Sequence, residues 1–278
     1  MARMQRSTVA GLAVTRYRPE PAVDAVDAGP TTPVVVVHGA LDRSSSMGRL
    51  CRHMRDLDVV TYDRRGYGRS ASAGVARGLD DHVDDLAAIV DDVGRPVVLV
   101  GHSFGGLVVM DAAARLDGRI LGTITYESPA HWLPNHHMQP KTRAVLSRST
   151  PGDAAEEFMR RAIGDDGWER LPPSTREARR AEGPALLAEL GALPHDGPPF
   201  DPDAITAKAL LLYGGASEDR LRRAAEDMAA HIPGAQVGVV PGADHPVHLT
   251  HPADFAAQIR RVVTMVADEV GDPIEGAA

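Results

Sequence analysis

Residues 97–116 limit the possible folds more than any other stretch. They read Val97-Val98-Leu99-Val100, then Gly101-His102-Ser103-Phe104-Gly105-Gly106, and continue as LVVMDAAARL. Four apolar, mostly β-branched residues predict a strand buried on both faces. The apolar spacing after Gly106 predicts a helix. Only a tight turn separates the two, and it carries the pattern G-x-S-x-G with Ser103 at its centre. Strand and helix backbones meet at close quarters in such a turn, which calls for small residues at 101 and 105. The serine is held under strain with its hydroxyl lifted above the sheet. The first N–H groups of the helix then face any oxyanion that forms beside it.

The rest of the chain supplies the parallel neighbours that such a strand needs. Residues 34–37 are four valines, a second strand buried on both faces. That strand runs into His38-Gly39-Ala40. Loops at the carboxyl ends of such strands build the sites of α/β sheets, and Gly39 lets the backbone turn so that the Ala40 N–H faces an oxyanion. Residues 8–17 predict an edge strand or hairpin, and 19–33, rich in Pro, Ala, Asp and Gly, a connecting loop. Residues 58–62 predict a strand, followed by the loop Asp63-Arg64-Arg65-Gly66-Tyr67-Gly68-Arg69-Ser70, whose charges read as a structural network. Residues 44–54 begin a helix, and 79–93 form another, with Asp80, Asp81, Asp84 and Asp85 in its first turns. Those acids suit the helix dipole and carry no catalytic role.

A strand at 120–126 ends in Glu127-Ser128-Pro129, and there the pattern changes. Residues 130–205 lack a strand signal and hold short amphipathic pieces at 153–163, 174–181 and 184–190. Strand and helix return at 209–213, 221–230, 235–240 and 252–270. The reading is an α/β core from 1–128 and 206–278, with a mostly parallel sheet flanked by helices, and a helical insertion at 129–205.

The 278 residues suffice for a large core, and the net charge of -8 argues against nucleic acid or an anionic membrane as a partner. The single cysteine, Cys51, excludes an internal disulfide and reads as a small residue packed on a helix. No leader-like segment opens the chain and no apolar run approaches membrane-spanning length, so a cytoplasmic location is expected. Oligomeric state is not legible in the sequence.

Taken together, HGA at 38–40, DRRGYGRS at 63–70, GHSFGG at 101–106 and PGADHPVHLTHP at 241–252 resemble the α/β-hydrolase superfamily across nearly the whole chain. The resemblance implies an eight-stranded-type sheet, with the insertion at 129–205 in the place of the family's cap. A serine hydroxyl is a weak nucleophile until a base takes its proton and a third group orients that base. The family places its histidine last, and of His245, His248 and His251 the resemblance favours His245, in the turn after the last strand. His251 sits at a helix start and His248 near the site. No H-x-x-x-H pair with a nearby glutamate supports a metal reading of the three.

The family commonly takes its acid from the loop after 209–213. Here that loop reads Gly214-Gly215-Ala216-Ser217-Glu218-Asp219, with Ser217 where the aspartate falls. A subset takes the acid from the preceding strand, and YESP followed by a GGxS loop looks like that subset. Glu127 is therefore favoured, with Asp219 and Glu218 as alternatives; its bland reading is a polar residue closing the strand before Pro129. The Ala40 and Phe104 N–H groups form the implied oxyanion hole, and the Phe104 ring lines the acyl pocket. His102 reads as a packed, hydrogen-bonded histidine under the turn. His131, Trp132, His136, His137 and Met138 either line the pocket or pack the insertion.

The expected activity is hydrolysis of an ester-type bond in a small, mainly apolar molecule, with no metal or organic cofactor. A serine at 103 argues against dehalogenase or epoxide-hydrolase chemistry, which the family runs with an aspartate. Thioester cleavage, C–C bond hydrolysis or a cofactor-free lyase or cyclase step would use the same residues. A non-catalytic binding protein on the same fold has only the missing aspartate in its favour.

Overall fold

The computed structural model describes residues 3–19, 31–148, 150–193 and 196–271. Most of the loop expected at 19–33 lies outside the described residues. Eight strands form one sheet: β1 (Arg3–Val9), β2 (Leu12–Arg18), β3 (Val34–Val37), β4 (Val59–Tyr62), β5 (Val97–His102), β6 (Ile120–Tyr126), β7 (Lys208–Gly214) and β8 (Gln236–Val240). Their order across the sheet is β1-β2-β4-β3-β5-β6-β7-β8. β1 and β2 form a hairpin, β2 pairs antiparallel with β4, and the other neighbours are parallel. The stretch expected as an edge strand or hairpin is thus a hairpin, turned at Ala10-Gly11, both with positive φ.

The valines of β3 explain the layering. Val35 and Val37 point into one core, Val34 and Val36 into the other. Alternate residues of a strand face opposite sides, so a run without polar residues requires cover on both. Each fully buried valine contributes roughly 1.5–3 kcal/mol of hydrophobic stabilisation. Helices α2 (Leu79–Val93) and α3 (Phe104–Arg115) cover one face, while α1 (Gly48–Arg52) covers the other. Between β6 and β7 the chain makes α4 (Pro140–Leu146), α5 (Pro151–Ile163), α6 (Asp165–Glu169), α7 (Pro173–Ala181) and α8 (Gly183–Gly191). It closes with α9 (Asp219–Ala229), α10 (Val247–Thr250) and α11 (Pro252–Gly271). α9 joins the face of α2 and α3, and α11 joins that of α1.

The chain steps from β3 to β4 on one side and then to β5 on the other. Such a reversal leaves a crevice at the carboxyl ends of β3 and β5. The register aligns what leaves there. Val37 is opposite Gly101, and His102 is opposite Tyr126. Ser103 and Glu127 therefore emerge side by side, each one residue beyond its paired strand. Gly214 is opposite Val240, which brings the segment after β8 to the same rim.

Candidate active site

Ser103 has φ 52° and ψ −123°, a conformation disfavoured for any residue with a side chain. Its surroundings enforce it. The Ser103 N–H donates to Tyr126 O at 2.8 Å, and the Gly106 N–H donates back to Ser103 O at 2.8 Å. A Cβ on Gly101 would lie 2.6 Å from Gly106 Cα, and one on Gly105 would lie 2.7 Å from His38 O. The small residues expected at 101 and 105 are therefore demanded by crowding between β5, α3 and the loop after β3. That loop reaches the serine: a Cβ on Gly39 would fall 3.1 Å from Ser103 Cβ. Ala40 follows directly, and among the described residues its N–H has no hydrogen-bond acceptor. The Phe104 N–H opens α3. Its ring is almost wholly buried against His82 and Arg64, which leaves little of it for an acyl pocket.

Glu127 also has a positive φ, 49°. Its N–H donates to Leu212 O at 3.0 Å, which turns the chain off β6 and drops the carboxylate beside β7. Oε1 accepts the Gly214 N–H at 2.9 Å, and Oε2 meets His245 Nδ1 at 2.7 Å. The Glu127 side chain is fully buried, whereas the His245 side chain is 48% exposed. Burial pushes the Glu127 carboxyl up, but the bond and charge of His245, the Ser217 hydroxyl and the Gly214 N–H outweigh it, holding it below the ordinary glutamate value. A carboxylate on Nδ1 assigns the proton to that nitrogen and leaves the Nε2 lone pair free to accept one. Among the described residues no hydrogen bond joins Ser103 Oγ to His245 in this resting geometry.

The loop carrying His245 is pinned twice. Tyr126 OH donates to Asp244 O at 2.8 Å, and His102 Nε2–H donates to His245 O at 2.8 Å. His102 is wholly buried, and burial, followed by the neighbouring His245 and His248, keeps it neutral. The His248 ring lies edge-on to it at 4.8 Å. The packed, hydrogen-bonded role expected for His102 is thus realised across 143 residues. Tyr126 was not legible as a site residue; its place at the end of β6, one before Glu127, was the available signal.

The other candidates sit apart. Asp219 is exposed in the first turn of α9 and pairs with Arg222 and Arg223. Glu218 pairs with Arg220. Ser217, by contrast, stays at the site, its buried Oγ beside Gly214 and against Glu127 and Tyr126. His251 immediately precedes α11. Of the residues opening the insertion, Trp132 packs on Phe200, Met138 is buried and His136 meets Asp227. These three pack the structure. Asp42, His102 and His248 bring one potential ligand atom each within 4.8 Å of one another. Nitrogen donors lie about 2.0–2.1 Å from a zinc ion, so donors more than about 4.2 Å apart cannot share one.

The loop after β4 does more than its charges suggested. Arg65 forks onto Asp85 at 2.5 and 2.7 Å, so an acid read as serving the helix dipole ties α2 to the loop. Asp63 accepts from the Ser44 N–H and hydroxyl. Arg64 pairs with Glu189 of α8, both wholly buried. Glu189 was missed, because a lone acid in a short amphipathic helix looks like a solvated residue.

An alpha/beta hydrolase family model matches residues 34–258. The chain belongs to the alpha/beta hydrolase family. This family member is 27% identical over 242 residues to esterase YbfF of Escherichia coli, covering 83% of this chain and 92% of the esterase. It is 32% identical over 157 residues to lipase LipV of Mycobacterium tuberculosis, covering 55% of this chain and 59% of that lipase. An esterase from Thermogutta terrifontis superposes with a TM-score of 0.67 at 25% identity, over 95% of this hydrolase-family chain and 99% of the esterase. Among the described residues no helix is long and apolar enough to cross a membrane.

Proposed function

We propose that the protein is a serine hydrolase cleaving an ester-type bond of a small, mainly apolar molecule. Ser103 attacks the carbonyl carbon while His245 Nε2 takes its proton. Glu127 holds the imidazole in the required tautomer and stabilises the imidazolium that forms. The Ala40 and Phe104 N–H groups receive the oxyanion, each such donor worth on the order of 3 kcal/mol of transition-state stabilisation. His245 then protonates the leaving oxygen, and water cleaves the acyl-enzyme by the same path in reverse. The helices between β6 and β7 act as the cap over this crevice. The observation that carries the reading is the 2.7 Å contact of Glu127 with His245, made from the strand end beside the strained Ser103. The names of the matched esterases and lipase support the ester-type substrate.

The test is hydrolysis of short-chain p-nitrophenyl esters by the wild type, Ser103→Ala, Glu127→Gln and Asp219→Asn. An active wild type, an inert Ser103→Ala and a large loss only in Glu127→Gln are expected. Loss in Asp219→Asn instead would move the acid to the later loop. An unreactive Ser103, failing to label with a fluorophosphonate in folded wild type, would overturn the serine mechanism.

A further inference from the structure

Arg64 is completely buried, and its guanidinium links the loop after β3 to α8, with the His82 ring of α2 3.4 Å from Nη1. Nε donates to His38 O at 3.0 Å and Nη2 donates to Gly39 O at 2.9 Å. Nη1 donates to Glu189 Oε1 on α8, and Nη2 also reaches Glu189 Oε2 at 3.2 Å. The rings of Tyr67 and Phe104 lie 5.2 and 5.0 Å from the guanidinium carbon. The backbone N–H of Arg64 donates to His38 Nε2 at 2.9 Å. A backbone N–H can only donate, so His38 carries its proton on Nδ1 and donates it to Gly39 O at 2.8 Å.

The Gly39 carbonyl thus receives two donors, one of them a cation. Gly39 C=O and Ala40 N–H belong to one planar trans peptide and point in opposite directions. Fixing the carbonyl therefore fixes where the N–H points. A charged donor on the oxygen also polarises the peptide and strengthens its N–H as a donor. Glu189 completes the arrangement from the insertion, 125 residues away in sequence. Burial pushes its carboxyl up, but Arg64 and His82 outweigh that and hold it down to about 2. A buried guanidinium deprived of its carboxylate is strongly disfavoured. Docking of α8 therefore supplies the carboxylate that this buried guanidinium needs.

We propose that Arg64 is a positioning residue for the oxyanion donor Ala40, and that Glu189 makes this positioning depend on docking of the insertion. The proposal rests on the reading of Ala40 as an oxyanion donor. The insertion then does more than shape the substrate pocket: it sets the hydrogen bond that the transition state uses.

The experiment replaces both charges at once, as Arg64→Met/Glu189→Leu. Swapping a buried ion pair for apolar side chains commonly preserves the fold, whereas removing one partner strands a charge. Steady-state hydrolysis of a p-nitrophenyl ester and of its thionoester, with sulfur in place of the carbonyl oxygen, is measured beside the melting temperature. Sulfur accepts hydrogen bonds poorly, so the oxygen-to-sulfur rate ratio reads the oxyanion donors directly. The expected result is a folded double variant with KM within about 3-fold of wild type. Its kcat falls by about 10- to 100-fold, and the oxygen-to-sulfur ratio shrinks in step; full loss of one donor costs about 10²–10³. A folded double variant with wild-type kcat and wild-type ratio overturns the proposal. Should it fail to fold, Arg64→Lys keeps a cation for Glu189 but cannot fork onto His38 O and Gly39 O together, and is judged by the same two readouts. Ser103→Ala separates the two readings. Retained activity there defeats the serine mechanism, whereas an inert Ser103→Ala beside an unaffected double variant defeats only the role of Arg64.

Discussion

Glu127 shows how much of a residue's chemistry is set by the backbone beneath it. Its positive φ and the Leu212 carbonyl on its N–H aim a buried carboxylate at a half-exposed imidazole. Glu127→Gln keeps the shape but can present its NH₂ to Nδ1, which favours the wrong tautomer; kcat should fall by on the order of 10³–10⁴. The circular dichroism spectrum should be unchanged. Asp219→Asn, on the exposed first turn of α9, should leave kcat within about 2-fold, checked in the same ester assay. Ser103 was legible because a glycine-bounded turn between strand and helix has few other uses. Glu127 was legible from the strand ending at Tyr126 and from Ser217 standing where an aspartate is common. Its partner N–H on Gly214 was not, since backbone donors carry no side-chain signature. The loop of Arg64 read as a structural network, but its partner Glu189 lies 125 residues away and carries no local signal.

At the scale of elements, the insertion is held by one crossing too tight for a side chain. A Cβ on Gly183 would run into the backbone carbonyl of Pro151, where α8 begins against α5. Gly183→Ala must push these helices apart and should destabilise by about 1–3 kcal/mol, read as a lower urea midpoint. Gly191, at the other end of α8, has open space around it. Gly191→Ala should be neutral or stabilising by up to about 1 kcal/mol, which separates crowding from helix propensity. The valine strands and the amphipathic α2 and α11 follow from periodicity, because burial on both faces or on one stripe is written directly into residue order. The short helices α4, α6 and α10 escaped that reading. Helices of four to seven residues are not stable alone, so packing decides them and local pattern does not.

For the whole molecule, buried histidines lead the response to mild acid, above the range where the depressed carboxylates of Glu189 and Glu127 take up protons. His38 is pushed down to about 4, first by burial and then by Arg64. His82, His102 and His248 are lowered too, each chiefly by burial. In the unfolded chain these imidazoles take up protons near 6.5. Between pH 6.5 and about 4 the unfolded state binds more protons, so stability falls as pH falls. His38 alone should account for about 3 kcal/mol of that loss. Urea unfolding at pH 7, 6, 5 and 4 should show it, with a shallower slope in His38→Gln. Asp111 works the other way: burial pushes its carboxyl up to about 6, so it favours the fold on acidification, and Asp111→Asn should steepen the loss. The Glu127–His245 contact has a further consequence in time. Glu127 and His245 are 118 residues apart, with the whole insertion between them. A ribosome adding roughly 5–20 residues per second needs about 6–24 s to travel from one to the other. On the proposed mechanism, the growing chain through that interval holds its nucleophile and its acid but not its base. On that reading the nascent polypeptide stays silent toward esters until the turn after its final strand is made.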